Sequence, residues 1–291
     1  MKVFITGVCG QLGHDVMNEC DKRGIKIVGS DISDYNGPFD YVKLDITDKD
    51  AVDKSLSALK PDAVIHCAAW TAVDLAEDFP EKVFNINSYG TKNIADACEK
   101  IGCKMMYIST DYVFDGNGEQ PWKPDCKDFA PLNVYGQSKL DGELAVSSIL
   151  DNFFIVRIAW VFGKNGNNFI KTMLKLGETR RELRVVSDQI GTPTYTLDLA
   201  RLLVDMILTD KYGYYHATNE GGFISWYDFA CEIFRQVGYD VKVIPVTTEE
   251  YGLSKAKRPL NSRLDKSKLV SNGFKPLPDW KDSLERYLKN R

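Results

Sequence analysis

The 291-residue sequence predicts an α/β protein, a doubly wound parallel sheet followed by a small C-terminal α/β lobe. Three observations carry that expectation. Short apolar runs alternate with amphipathic helical stretches through the first 160 residues. A glycine-rich turn, Gly7-Val8-Cys9-Gly10-Gln11-Leu12-Gly13, joins the first apolar run to the first helical stretch. Polar residues with chemical potential fall where the predicted strands end, which is where an open parallel sheet binds its ligands.

Residues 2–6 read as the first strand. The glycines after it permit a tight turn and close backbone approach to a pyrophosphate at the N-terminus of a helix ending near Gly24. A second strand over residues 25–29 leads to Asp31, about 20 residues beyond the glycines, where an acidic side chain accepts the ribose hydroxyls of a dinucleotide. Gly7, Gly10, Gln11, Leu12, Gly13 and Asp31 are therefore candidate cofactor residues. A strand at 41–44 ends at Asp45 and Ile46, and a helix follows over 48–59. The strand at 62–66 leads into Ala68 and Ala69, and these strand-end residues join the cofactor candidates. A long helix spans 80–101 with Pro80 suited to its first turn. The strand at 104–108 delivers Ser109 and Thr110 at its carboxyl end, and the strand at 153–158 completes the Rossmann pattern.

Tyr135 and Lys139 stand four apart, on one face of a helix. A phenol of pKa about 10 is a poor proton donor or acceptor at neutral pH. An ammonium one turn away is expected to favour the phenolate and bring Tyr135 toward its working range. The Thr110 hydroxyl can then hydrogen-bond the oxygen of a carbonyl or alcohol. Thr110, Tyr135 and Lys139 are the candidate catalytic residues for nicotinamide-dependent carbonyl chemistry.

Beyond residue 160 the alternation loosens. A polar turn at 165–168 precedes a helix at 169–176, a strand falls at 183–186, and a helix at 197–208 has the apolar face to pack on the sheet. Strands at 212–217 and 241–245 flank a helix at 226–237 in an aromatic-rich part. The expected division is a dinucleotide-binding domain over 1–160, with segments near 183–210 returning to it, and a substrate-binding lobe made mainly of 161–291.

An apolar share of 44% and a charged share of 27% belong to an ordinary globular chain, and a net charge of −4 gives no reason to expect nucleic acid or anionic membrane as partner. No apolar run approaches the length of a membrane span, and a first strand at residue 2 leaves no room for a signal peptide. Seven cysteines without C-x-x-C spacing read as reduced, mostly buried thiols in a cytoplasmic protein. His66, at a strand end, reads as structural, and no zinc or hydrolase triad spacing is visible. A homodimer is compatible with the sequence, but its apolar residues are too evenly spread to nominate an interface.

These residues together resemble the extended short-chain dehydrogenase/reductase family and, within it, are similar over essentially the whole length to the dTDP-4-dehydrorhamnose reductases. The resemblance rests on Thr6-Gly7-x-x-Gly10-Gln11-Leu12-Gly13, Cys67 to Asp74 with Ala76-Glu77, and Asn87-x-x-Gly90-Thr91. It continues through Ser109-Thr110-Asp111-Tyr112-Val113-Phe114-Asp115-Gly116 and Tyr135-Gly136-x-Ser138-Lys139. The C-terminal blocks are Arg157-x-x-Trp160, Asp188-Gln189-x-Gly191-x-Pro193-Thr194 and Arg258-Pro259-x-Asn261-Ser262. It implies hydride transfer from NADH or NADPH to C4 of dTDP-4-dehydro-6-deoxy-L-mannose, with Tyr135 as proton donor, Lys139 on the ribose hydroxyls and Thr110 on the C4 oxygen. It also implies Asn87 among the cofactor residues, and Asp111, Tyr112, Trp160 and Arg258 around the nucleotide sugar, Arg258 on its diphosphate. Asp31, with no arginine after it, favours NADH. Some relatives hold a divalent metal at a dimer contact through a Glu after the last glycine. This chain has Asp15 there and no Glu near Tyr195-Thr196-Leu197, so no required metal is expected. Two rival readings remain: a reductase of another nucleotide-linked 4-ketosugar, and a non-catalytic NADP-binding subunit resembling the regulatory partner of methionine adenosyltransferase.

Overall fold

Strands covered on both faces need apolar residues at every position, and the N-terminal strands meet that demand with runs such as Val3-Phe4-Ile5 and Ala63-Val64-Ile65. In the computed structural model, which describes residues 1–290, they form β1 (Lys2–Thr6), β2 (Lys26–Asp31), β3 (Tyr41–Lys43), β4 (Ala63–His66), β5 (Lys104–Thr110) and β6 (Phe153–Ile158). Shorter strands follow: β7 (Val161–Phe162), β8 (Glu182–Val186), β9 (Ile190–Gly191), β10 (Thr194–Tyr195), β11 (Gly213–His216), β12 (Ile224–Ser225) and β13 (Lys242–Val246). The helices are α1 (Gln11–Lys22), α2 (Lys49–Leu59), α3 (Val73–Ala76), α4 (Pro80–Phe84), α5 (Thr91–Ile101) and α6 (Val134–Ile149) in the first half. They continue with α7 (Phe169–Gly177), α8 (Thr196–Ile207), α9 (Trp226–Val237), α10 (Thr248–Tyr251), α11 (Ser267–Ser271) and α12 (Trp280–Lys289).

Side chains fix several helix starts. Asp48 accepts from Ala51 N, Asn133 from Gly136 N and Asn168 from Lys171 N, each satisfying an amide that the first turn leaves open. Ser225 and Asp228 form a reciprocal capping box at α9. The stretch 80–101 is helical throughout, as its periodicity indicates, but a π-helical turn at Asn85–Gly90 separates α4 from α5.

The principal sheet is parallel, in the order β3-β2-β1-β4-β5-β6-β11. Alternate residues of each strand feed opposite layers. Val3 and Ile5 pack with Val16, Leu199 and Leu203 on the α1/α8 face, while Phe4 and Val64 pack with Leu56 and Ile94 on the α2/α5 face. The strand expected over 212–217 forms as β11, but it extends this sheet beside β6 and does not join the lobe. The strand expected over 183–186 does the reverse, pairing as β8 with β13 away from the sheet. Only α8, of the segments near 183–210, packs on the sheet, against α1. A separate core of Phe162, Phe229, Ile233, Trp280 and Leu284 unites α7, α9 and α12. All seven cysteines are free, but only Cys20, Cys98 and Cys103 are buried; Cys9, Cys67 and Cys126 lie outside the strands and helices, Cys231 lies within α9, and these four are partly exposed.

The most consequential buried contact is ionic. Arg157 on β6 and Glu143 on α6 are both fully buried and pair bidentately, Nε to Oε1 at 2.8 Å and Nη2 to Oε2 at 2.7 Å. Nη1 donates to Pro124 O at 3.1 Å and lies 3.3 Å from His216 Nε2, while Phe114, Phe129 and Tyr214 rings stand 5.0–5.2 Å from the guanidinium. Burial beside this cation holds His216 well below the usual imidazole range, so the ring is neutral. Removing one partner strands the other charge. We expect Arg157→Met to destabilise the protein by about 3–5 kcal/mol in urea unfolding, and Arg157→Met/Glu143→Leu to recover much of that loss.

Candidate active site

The carboxyl ends of β1, β2, β4, β5 and β6 open into one cavity of about 1050 Å³. At one end lies the glycine turn. Gly7 adopts φ +71°, and a Cβ there would stand 2.6 Å from Ala68 N. A Cβ on Gly13 would come within 2.3 Å of Gly7 O, so turn and helix touch only because both positions lack a side chain. Gly10 caps α1 without a side-chain hydrogen bond, leaving first-turn amides directed to the cavity end. That backbone cradle fits the pyrophosphate of a dinucleotide.

Asp31 braces the same turn. Its Oδ2 accepts from Cys9 N at 3.0 Å and its Oδ1 from Ser33 N at 3.1 Å. Thr6 Oγ1 accepts from Ala68 N at 3.1 Å and meets His66 Nδ1 at 2.7 Å. His66 also contacts Thr91 Oγ1, and burial holds it at about 3, a neutral structural spacer between β1, β4 and α5. Gln11, Leu12, Asp45, Ile46, Ala68 and Ala69 all line the cavity. Asn87 does not. Its side chain is consumed behind the wall, accepting from Trp70 N at 2.7 Å and donating to Trp70 O and to Ser138 Oγ. The π turn places it there: it fixes the wall that a cofactor would meet and offers no free atom to the cofactor.

At the other end, β5 delivers Thr110 and α6 delivers Tyr135 and Lys139. Lys139 is buried, its ammonium donating to Ile108 O at 2.7 Å and lying 4.1 Å from the Tyr107 ring centre. Burial lowers its pKa to about 7 from 10.5, with Glu143 one turn on pulling the other way. The Tyr135 phenol is pushed above its usual value, again by burial, with the Thr110 hydroxyl opposing and Asp111 adding to the rise. The lysine effect expected from the spacing therefore does not prevail: desolvation dominates, and the group that offsets it is Thr110, not Lys139.

Asp111 is 2% exposed and accepts from Thr110 Oγ1 at 3.0 Å through Oδ1. Burial raises its carboxyl to about 6, with Ser262 and Thr110 partly offsetting the rise. Its Oδ2, like the hydroxyls of Ser30 and Ser109, has no well-formed hydrogen bond, and all three residues line the cavity. Buried polar atoms left open at a cavity wall fit a site that completes them with a ligand. Tyr112 meets Tyr135 edge-on at 5.6 Å.

Trp160 takes a left-handed backbone, φ +51°, and stacks on Trp226 at 3.7 Å. Its indole lies where a Cβ on Gly191 would sit 2.9 Å away. Trp226 escaped the sequence reading, as did Phe169, which packs 4.7 Å from it, and both line the cavity. Gly191 makes space for the Trp160 indole, and no local pattern marks Trp226 or Phe169. Arg258 also reaches the cavity, but Asp74 holds it, Nη1 to Oδ1 at 3.0 Å and Nη2 to Oδ2 at 2.7 Å. Asp74 also accepts from Lys255 N and Ala256 N, and the Arg258 guanidinium keeps its carboxyl below the usual range. Asp15 turns inward, accepting from Thr196 Oγ1 at 2.5 Å, and no cluster of His, Cys, Asp or Glu suited to a metal occurs among the described residues.

The family model described as RmlD substrate binding domain matches residues 1–291. A crystal structure of a dTDP-4-dehydrorhamnose reductase from Clostridium acetobutylicum is 43% identical, with TM-score 0.93 over 100% of this chain and 99% of that one. The dTDP-4-dehydrorhamnose reductase of Bacillus anthracis, solved in complex with NADP, is 41% identical with TM-score 0.92 and the same coverage. The spore coat polysaccharide biosynthesis protein SpsK of Bacillus subtilis is 38% identical over 100% of this chain and 98% of its own. Cradle, Tyr/Lys helix and full-length likeness agree, and the chain belongs to the family described as RmlD substrate binding domain, among the NAD(P)-binding oxidoreductases.

Proposed function

We propose that the chain reduces the C4 keto group of dTDP-4-dehydro-6-deoxy-L-mannose to dTDP-L-rhamnose, using NADH or NADPH. The observation that carries this reading is the meeting of Thr110, Tyr135 and Lys139 in the cavity that also contains the glycine cradle. The bound nicotinamide supplies the hydride. Tyr135, held protonated by its buried setting, gives its proton to the alkoxide oxygen forming on C4, so that ketone, hydride and proton balance as alcohol. Thr110 is the second hydrogen-bond partner of that oxygen. Lys139 spends one hydrogen on Ile108 O and keeps two for ribose hydroxyls. A nearby anionic ligand favours its charged form, which in turn draws the Tyr135 pKa down. Asp111, Tyr112, Trp160 and Trp226 shape the sugar end. Asp31 opposes a 2′-phosphate and favours NADH, whereas the Bacillus anthracis relative was solved with NADP, so both cofactors belong in the assay.

On this reading the cofactor half consists of residues 1–160 with α8 and β11, and the rest of 161–291 makes the substrate half. No helix among the described residues is long and apolar enough to cross a membrane, and we place the reaction in the cytoplasm.

The test is loss of NADH or NADPH absorbance on adding the 4-keto sugar nucleotide. Tyr135→Phe should lower kcat at least about 100-fold while cofactor affinity holds. Wild-type protein that binds cofactor without consuming it would move the assignment to another ketosugar or to a regulatory subunit. Lys139 gives a pH test of the ligand-free protein. Below about pH 7 folded and unfolded states both carry its proton, and between about 7 and 10.5 only the unfolded state does. Its contribution to stability therefore rises with pH through that window. Lys139→Met should show its greatest stability advantage over wild type below pH 7, with the gap closing toward pH 10 in urea titrations.

A further inference from the structure

Three cationic side chains line the cavity: Lys82, Lys139 and Arg258. Two are engaged. Lys139 is committed to Ile108 O and the Tyr135 end, and Arg258 is neutralised by the bidentate carboxylate of Asp74. The side chain of Lys82, on α4, makes no ion pair or hydrogen bond among the described residues. Its ammonium lies 5.5 Å from the ring centre of Trp70, itself fixed through its backbone to Asn87 and packed on Phe79. An aromatic face holds the charge at the rim without consuming it.

The cavity wall adds carboxylates of Asp31, Asp45 and Asp111, so it carries no surplus of positive charge for a second polyanion. The cofactor's pyrophosphate has the open amides of α1. At the Trp70–Arg258 wall Asp74 and Asp78 pin residues 255–258, and Lys82 follows two positions after Pro80. We propose that Lys82 is a specificity-determining residue that grips the diphosphate of the nucleotide-sugar substrate, beside the neutralised Arg258–Asp74 pair. The inference rests on the reductase reading for its substrate class, but binding measured without turnover tests it separately.

The probes are dTDP, thymidine and NADP⁺, titrated calorimetrically into wild type and Lys82→Met, a variant that keeps an unbranched apolar stem against Trp70. In NADP⁺-saturated protein dTDP should bind about 10-fold more weakly to the variant, thymidine and NADP⁺ equally to both, and Lys82→Arg should regain most of the loss. The wild-type dTDP affinity should also fall more steeply with salt than that of the variant. Equal dTDP affinity in both proteins would overturn the proposal. So would weakening of NADP⁺, which would move the contact to the cofactor's pyrophosphate, or equal weakening of thymidine, which would mark a packing effect. Charge-dependent dTDP binding in a wild type that fails to turn over the keto sugar would sink the reaction assignment and leave the anion subsite standing.

Discussion

Burying the guanidinium of Arg157 dictates where α6 can lie. A cation with no exposure must have its partner in place, and Glu143 supplies both oxygens from the helix that carries Tyr135 and Lys139. The same guanidinium holds Pro124 O and the Phe114 and Phe129 rings, so the segment between β5 and α6 is folded around it. β6 leads directly from Arg157 to Trp160, and the strained turn at Trp160 begins three residues beyond the ion pair. The Tyr135/Lys139 helix, the Trp160 wall and β11, through His216, thus share one electrostatic anchor.

The cavity is chemically unfinished without ligands. Burial raises the Tyr135 phenol and the Asp111 carboxyl and lowers the Lys139 ammonium, each toward its neutral form. A low-dielectric site disfavours charge of either sign. A polyanionic ligand reverses the balance at Lys139 first, because its ammonium gains from the nearby negative charge. Proton inventory and ligand occupancy are therefore linked in this site.

Most of the principal sheet was legible because its strands are short apolar runs, and β1, β2 and β5 end on or before a glycine, an acid or a hydroxyl residue. The glycine cradle was legible for a related reason: Gly7 and Gly13 have no sterically possible substitute at 2.6 and 2.3 Å from backbone. The misplacement of residues 212–217 is instructive. A four-residue strand records its alternation but not its partner, which is set by how α8 packs against α1. Trp226, Lys82 and the Asp74 clasp on Arg258 were hidden because each depends on chain segments more than 60 residues apart or on an exposed residue with no local pattern. Asn87 entered among the cofactor residues through the resemblance, yet its side chain bonds Trp70 and Ser138 behind the wall. The Tyr135/Lys139 spacing placed both side chains on α6, but spacing says nothing about solvent, and burial raises the phenol.

The π turn at Asn85–Gly90 lets one helical path serve two surfaces. Each residue added to an α-helix turns it by about 100°, so one extra residue in a single turn rotates everything before it relative to everything after. Here α4 turns Lys82 to the cavity rim, while α5 turns Ile94, Ala95 and Cys98 into the core beneath the sheet. A chain one residue shorter in this turn would keep both helices and the core yet present a different side chain at the rim. Length in this short stretch, more than composition, decides which residue meets the ligand.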